Sequence, residues 1–167
     1  RGVDIKGKNL GVIGTGRIGK EVIKIGLGFG MNILAYDPFP DLFFQQNAGF
    51  KYVSLEDLLK NSDVITIHTP YNKQTHHLIN SKAFGFIKKG VYLINTARGG
   101  IVDTEALIKA LKDGILAGYG ADVLESEGEV KDELNFLINT HPKKEVIEEM
   151  LYDHILMKLP NVLITPH

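Results

Sequence analysis

The residues Gly14-Thr15-Gly16-Arg17-Ile18-Gly19 follow the pattern Gly-x-Gly-x-x-Gly between a strand-like and a helix-like run. In that setting the first glycine permits a tight turn, the second lets a pyrophosphate reach the backbone, and the third lets the helix close on the strand. The N-terminus of that helix then faces the phosphates. Asp37 lies 18 residues after Gly19, at the end of the next strand-like run. A carboxylate there accepts hydrogen bonds from ribose hydroxyls and repels a 2′-phosphate, so the two motifs together predict NAD rather than NADP. Pro38, Phe39 and Pro40 follow it, leaving no adjacent cation to hold a 2′-phosphate. The competing readings are structural: a glycine turn that only packs a helix, and an Asp-Pro turn.

Two further residues suit reaction on a small anion. Arg98, in NTARGG, carries a guanidinium whose paired donors match a carboxylate at any working pH. His167, in NVLITPH, can exchange a proton near neutrality, as the interconversion of a carbonyl and an alcohol requires. A carboxylate beside that imidazole would orient it and favour its charged form, and from the residues alone Glu125, Glu127 and Glu129 are equal candidates.

These residues need a scaffold that gathers them. Short β-branched runs recur at NLGVIG, MNILAYD, DVITIH, GVYLIN, LAGYGADV and NVLIT, alternating with helix-period segments, which predicts a parallel α/β sheet. Ile18, Val22, Ile25 and Phe29 share one face of the first helix, and Gly28 and Gly30 end it. Ser54 is expected to cap a helix over LEDLLK, Ser81 one over KAFGFI, and Asp103 one over TEALIKALKDG that Gly114 closes. The stretch from Ser126 to Pro160 is charged and irregular, with a helix expected near KEVIEEML and a turn at His141-Pro142. Pro38, Pro70 and Pro166 each sit just past a strand, in the loops that lead to the next helix. In an open parallel sheet, ligands bind beyond the carboxyl ends of the strands. Gly14, Asp37, His68, Asn95 to Arg98, Asp122 and His167 each follow a different predicted strand, which predicts one shared crevice.

Composition narrows the classes. The 167 residues carry 19 basic and 20 acidic side chains, a formal net charge of −1, and are 44% hydrophobic. That suits the core of one domain, residues 1–167, and offers no broad electrostatic footprint for nucleic acid or an acidic membrane. No run approaches the roughly 18 apolar residues that cross a bilayer. Cysteine is absent, which excludes disulfide scaffolds and thiolate metal sites and fits a cytoplasmic protein. The irregular spacing of His76, His77, His141 and His154 gives no metal constellation, so all four are expected to be surface or packing residues. The chain starts without methionine and stops directly after a strand-like run, which predicts a piece of a longer protein.

GVIGTGRIG, DVITIHTP, GVYLINTARGGIVDTEAL, GADVLESE and PNVLITPH, in that order, closely resemble the D-isomer-specific 2-hydroxyacid dehydrogenase family, over about Gly7 to His167. The resemblance implies the Rossmann-type, doubly wound NAD-binding domain of a two-domain subunit, whose substrate domain lies outside this chain. It also implies hydride transfer between NAD and a small 2-hydroxy or 2-oxo acid. Arg98 would hold the substrate carboxylate and His167 would be the acid/base. Glu127, five residues after Asp122, would pair with that histidine. Asp122 would contact the nicotinamide amide, Thr96 and Ala97 would frame the ring, and Arg17 and Ile18 would meet the pyrophosphate through backbone amides. His68, Thr69 and Pro70 would lie beside the adenosine, with strand-end packing an equal reading for His68. The 40-residue span from Glu127 to His167 resembles the D-lactate dehydrogenase branch, including its vancomycin-resistance members, which implies pyruvate and D-lactate. Family members dimerise through this domain. The rival reading is an NAD-sensing, corepressor-like binding module of the same fold, which the NAD motifs fit equally and which turnover would exclude.

Overall fold

A computed structural model describes residues 4–125 and 144–165. Strands β1 (Asn9–Ile13), β2 (Asn32–Tyr36), β3 (Lys51–Tyr52), β4 (Val64–Ile67), β5 (Val91–Asn95), β6 (Leu116–Ala121) and β7 (Val162–Ile164) form one sheet in the order β3-β2-β1-β4-β5-β6-β7. Every pairing is parallel. Helices α1 (Arg17–Gly28), α2 (Leu42–Ala48), α3 (Leu55–Asn61), α4 (Ser81–Phe84), α5 (Thr104–Lys112) and α6 (Lys144–Leu156) lie between them. The chain starts mid-sheet, winds outward to β3, then returns to the other side of β1 as β4. This doubly wound order puts the switch point, where such sheets bind ligands, between β1 and β4. Among the described residues no helix is long and apolar enough to cross a membrane.

Parallel strands covered on both faces bury alternate side chains in two cores. Leu10 and Val12 of β1 join Ile23, Ile33, Ala35 and Phe50 in one cluster. Ile13 points the other way, into a larger cluster with Leu58 and Leu59 of α3, Ile65 and Ile67 of β4, Leu93, and Leu107 and Leu111 of α5.

The expected strands are all present within the described residues, and so is a helix over the KEVIEEML region. Ser54 and Asp103 cap α3 and α5 by accepting from Asp57 N and Ala106 N, and Gly114 takes the left-handed conformation after α5. Gly30, with φ +72°, ends α1 as its own N–H and that of Met31 bond back to Leu27 O and Gly26 O. The His141-Pro142 turn lies outside the described residues.

Three expectations need correction. The cap of α4 is Asn80, not Ser81: its side chain accepts from Lys82 N and Ala83 N, and the helix stops at Phe84 instead of running to Ile87. Elements α2 and β3 have no counterpart in the predicted pattern, although Asp41 caps α2 and Gly49 closes it in the left-handed region. The third concerns α1, which does not bury the predicted stripe. Ile18, Ile25 and Phe29 are 67%, 57% and 59% exposed, and the buried residues are Gly19, Ile23 and Gly26. The helix lies so close to the sheet that a Cβ on Gly26 would come within 2.8 Å of Leu10 and 2.9 Å of Ile33. Ile23 flanked by Gly19 and Gly26 is thus the contact surface, Val22 is half-buried beside it, and Ile18, Ile25 and Phe29 face outward. Accordingly, Ile23→Ala should cost about 3 kcal/mol through the cavity it leaves. Ile25→Ala should cost under about 0.5 kcal/mol. Urea unfolding of the domain, at concentrations too low for self-association, checks both.

Candidate NAD and substrate site

The sheet register positions the site. Tyr36, Ile13, Ile67, Asn95, Ala121 and Ile164 are successive partners across six strands, so the residues that follow them emerge at one level. The next amides continue the ladder: Gly14 N bonds to Tyr36 O, His68 N to Ile13 O, Asp122 N to Asn95 O and Thr165 N to Ala121 O. Gly14, Asp37, His68, Thr96 and Asp122 therefore line one edge, as their placement in the sequence predicts. Glu127 and His167 lie outside the described residues.

The first and third glycines of the loop take the turn and the close contact expected of them. Gly14 has φ +92°, and a Cβ there would come within 2.7 Å of the His68 and Thr69 backbone. A Cβ on Gly19 would come within 2.0 Å of Gly14 O, so helix and loop meet backbone to backbone. A Cβ on Gly16 would meet nothing within 4 Å. That open side of the loop fits a pyrophosphate at the start of α1.

Asp37 makes the turn of its structural reading and a further tie to the glycine loop. Its Oδ1 accepts from Phe39 N at 2.9 Å, the expected Asx turn, while Oδ2 accepts from Thr15 N at 2.7 Å and Thr15 Oγ1 at 3.0 Å. Thr15 is buried and also shares a 2.8 Å hydrogen bond with Tyr52 Oη, which accepts from Asp41 N at 3.1 Å. Asp41 in turn pairs with Lys20, an interaction that holds its carboxyl below the ordinary carboxylate value. Sequence reasoning missed this Thr15-Tyr52-Asp41 brace. Its one local signal is a threonine at a variable position of the glycine motif.

Past the switch point lies a cleft of about 530 Å³ lined by Ile18, His68, Thr69, Pro70, Tyr71, Thr96, Ala97 and Arg98. All of these but Tyr71 were predicted. Arg17 and Ile18 open α1 with exposed side chains. His68 shares a 2.9 Å hydrogen bond with Thr66 Oγ1, and burial lowers its pKa, favouring the neutral ring. The packing and cleft-lining readings of His68 thus coexist. Arg98 is exposed, and its Nη1 donates to Ala97 O at 2.7 Å. The turn that presents it is held by buried Asn95, whose side chain donates to Arg98 O and accepts from Ala97 N. Asp122 accepts from Thr165 Oγ1 at 2.5 Å, tying the end of β6 to that of β7. Glu125, one of the three candidate partners for His167, is engaged elsewhere, by His77 and Thr104.

The description "D-isomer specific 2-hydroxyacid dehydrogenase, NAD binding domain" matches residues 1–167. The chain belongs to this family. Its similarity to a D-2-hydroxyacid dehydrogenase (NAD+) of Lacticaseibacillus paracasei is 43% identity over 166 residues, 99% of this chain and 47% of that protein. The structure of a D-lactate dehydrogenase from Treponema pallidum superposes with a TM-score of 0.83 at 34% identity, covering 99% of this chain and 47% of that one. A D-lactate dehydrogenase of Aquifex aeolicus, solved with NAD and lactic acid, gives 0.78 at 44% identity, covering 96% and 46%. This NAD-binding domain spans about half the length of the relatives it matches.

The glycine geometry separates folding from binding. In this domain, Gly19→Ala should lose about 3 kcal/mol of stability by overpacking. Gly16→Ala should cost under about 1 kcal/mol yet weaken NADH binding by roughly tenfold or more, because its methyl enters the space meant for phosphate. Thermal melts and NADH fluorescence titration of both variants distinguish the two effects.

Proposed function

We propose that this domain is the cofactor half of an NAD-dependent D-2-hydroxyacid dehydrogenase acting on small 2-oxo and 2-hydroxy acids, with pyruvate and D-lactate as the preferred pair. The observation that carries the reading is Arg98 at the carboxyl edge of β5, in the same cleft as the start of α1. An anion receptor and a dinucleotide seat there share one wall. When bound, the nicotinamide donates or accepts the hydride. Gly14, Gly16 and Gly19 with the first amides of α1, Arg17 and Ile18, seat the pyrophosphate. Asp37 meets the ribose, His68 to Pro70 flank the adenosine, and Thr96, Ala97 and Asp122 frame the nicotinamide. Arg98 fixes the substrate carboxylate so that its 2-oxo carbon faces the ring.

His167 gives a proton to the developing alkoxide and takes it back in the reverse reaction, with Glu127 favouring its charged form. The engagement of Glu125 by His77 and Thr104 leaves Glu127 and Glu129 for that role, and the family resemblance favours Glu127. The substrate domain lies in parts of the protein outside residues 1–167. A cytoplasmic homodimer is the assembly we infer, supported by exposed Ile25 and Phe29 on α1. The lactate preference is supported by the Treponema and Aquifex neighbours, the latter holding lactic acid.

The first test is cofactor choice: the domain should bind NADH tighter than NADPH by roughly tenfold or more, since the Asp37 carboxylate repels a 2′-phosphate. In the intact protein, Arg98→Gln should lower kcat/KM for pyruvate about a hundredfold by removing a charged, two-pronged contact. His167→Gln should lower kcat by about a hundredfold or more, and both variants should keep NADH affinity. Full turnover by either variant would sink the assignment. A protein that binds NADH and reduces no 2-oxo acid would be the sensing module instead.

A further inference from the structure

Three segments meet beside Arg98. The loop after β4 runs along the arginine loop: His77 N donates to Gly100 O at 2.9 Å, Ile79 N to Ile101 O, and Asp103 N to Ile79 O. The chain leaving β6 lies on that loop backbone to backbone, so that a Cβ on Gly99 would come within 2.1 Å of the Leu124 carbonyl. Side chains then tie the three together. One carboxylate oxygen of Glu125 pairs with His77 Nε2, and the other accepts from Thr104 Oγ1 at 2.6 Å. The Glu125 side chain is 8% exposed, so removing its histidine would leave a buried charge short of a partner.

The aim of the His77 ring is imposed. Its backbone sits at φ +48°, a left-handed conformation that a non-glycine residue seldom adopts. His76 stacks on the ring at 3.9 Å and shares a 3.0 Å hydrogen bond with Tyr71 Oη, and Tyr71 lines the cleft. His77 itself does not line the cleft, and its Nε2 is committed to Glu125, so it is no second acid/base.

We propose that His77 and Glu125 form a positioning pair that fastens the chain leaving β6 to the arginine loop and so holds Arg98 in place. The proposal rests on the role assigned above to Arg98. Gly99, on which the chain leaving β6 lies, stands next to Arg98. Loosening the pair lets Arg98 drift while the glycine loop and Asp37 stay in place.

The test uses the intact protein at 25 °C with NADH and pyruvate. His77→Asn tolerates the left-handed backbone but falls short of Glu125, and Glu125→Gln keeps an acceptor for Thr104 without the charge. Each should lower kcat about tenfold, as small misplacements of reacting groups do. The double variant should be no slower than the slower single, and the Kd for NADH should move by less than roughly twofold. Unchanged kcat with only a lower melting temperature would make the pair purely structural and overturn the proposal, as would loss of NADH binding in the variants. Failure of the unsubstituted protein to reduce any 2-oxo acid would overturn the functional reading itself, and is told apart because it precedes any substitution.

Discussion

Everything in this domain hangs on the register of its parallel sheet. Parallel strands bond in a slanted ladder that cannot slip by one residue without sending every buried side chain to the opposite face. With Leu10 and Val12 committed to one core and Ile13 to the other, β1 has a single allowed alignment. The same holds for β4, where Ile65 and Ile67 fix the face. Hydrophobic burial thus sets, at no additional cost, the level at which Gly14, Asp37, His68, Thr96 and Asp122 leave the sheet. The site is a by-product of core packing extended past the last hydrogen bond.

Close backbone contact supplies the second constraint. Where α1 meets the glycine loop and where the arginine loop meets the chain leaving β6, main chains touch through Gly19 and Gly99 with no room for a methyl group. Such contacts fix position more tightly than interdigitated side chains, which can change rotamer. One of them underlies the proposed cofactor seat and the other the proposed anion receptor, so the two halves of the candidate site rest on similar joints.

The parts of this arrangement that were legible in the sequence are those whose cause is local. A glycine in the left-handed region, Ser54 or Asp103 one residue before a helix, and β-branched runs ending in polar residues each carry their reason within a few positions. The outward face of α1 was misassigned because counting bulky apolar residues ignores glycine as a packing surface, and Gly19 and Gly26 flank Ile23 on the buried face. Strand β3 has two residues, too few for any period to register. Asn80 took the cap from Ser81 because either residue suits the position and only the chain path selects between them. The pairing of His77 with Glu125 spans 48 residues, and nothing in either neighbourhood marks it. The choice of Glu127 as the partner carboxylate comes from family resemblance rather than from the residues themselves, since three glutamates stand at alternate positions after Val123.

Asp37 holds Thr15 through one oxygen and the turn at Phe39 through the other. The residue proposed to read the ribose is therefore also a structural tie for the loop proposed to seat the phosphates. Anyone redesigning this domain for the phosphorylated cofactor would meet a coupled problem: replacing the acid removes the electrostatic veto and unpins Thr15 together. A workable design must give the Thr15 amide and hydroxyl a new acceptor, from Tyr52 or a neighbour, before a cation is added.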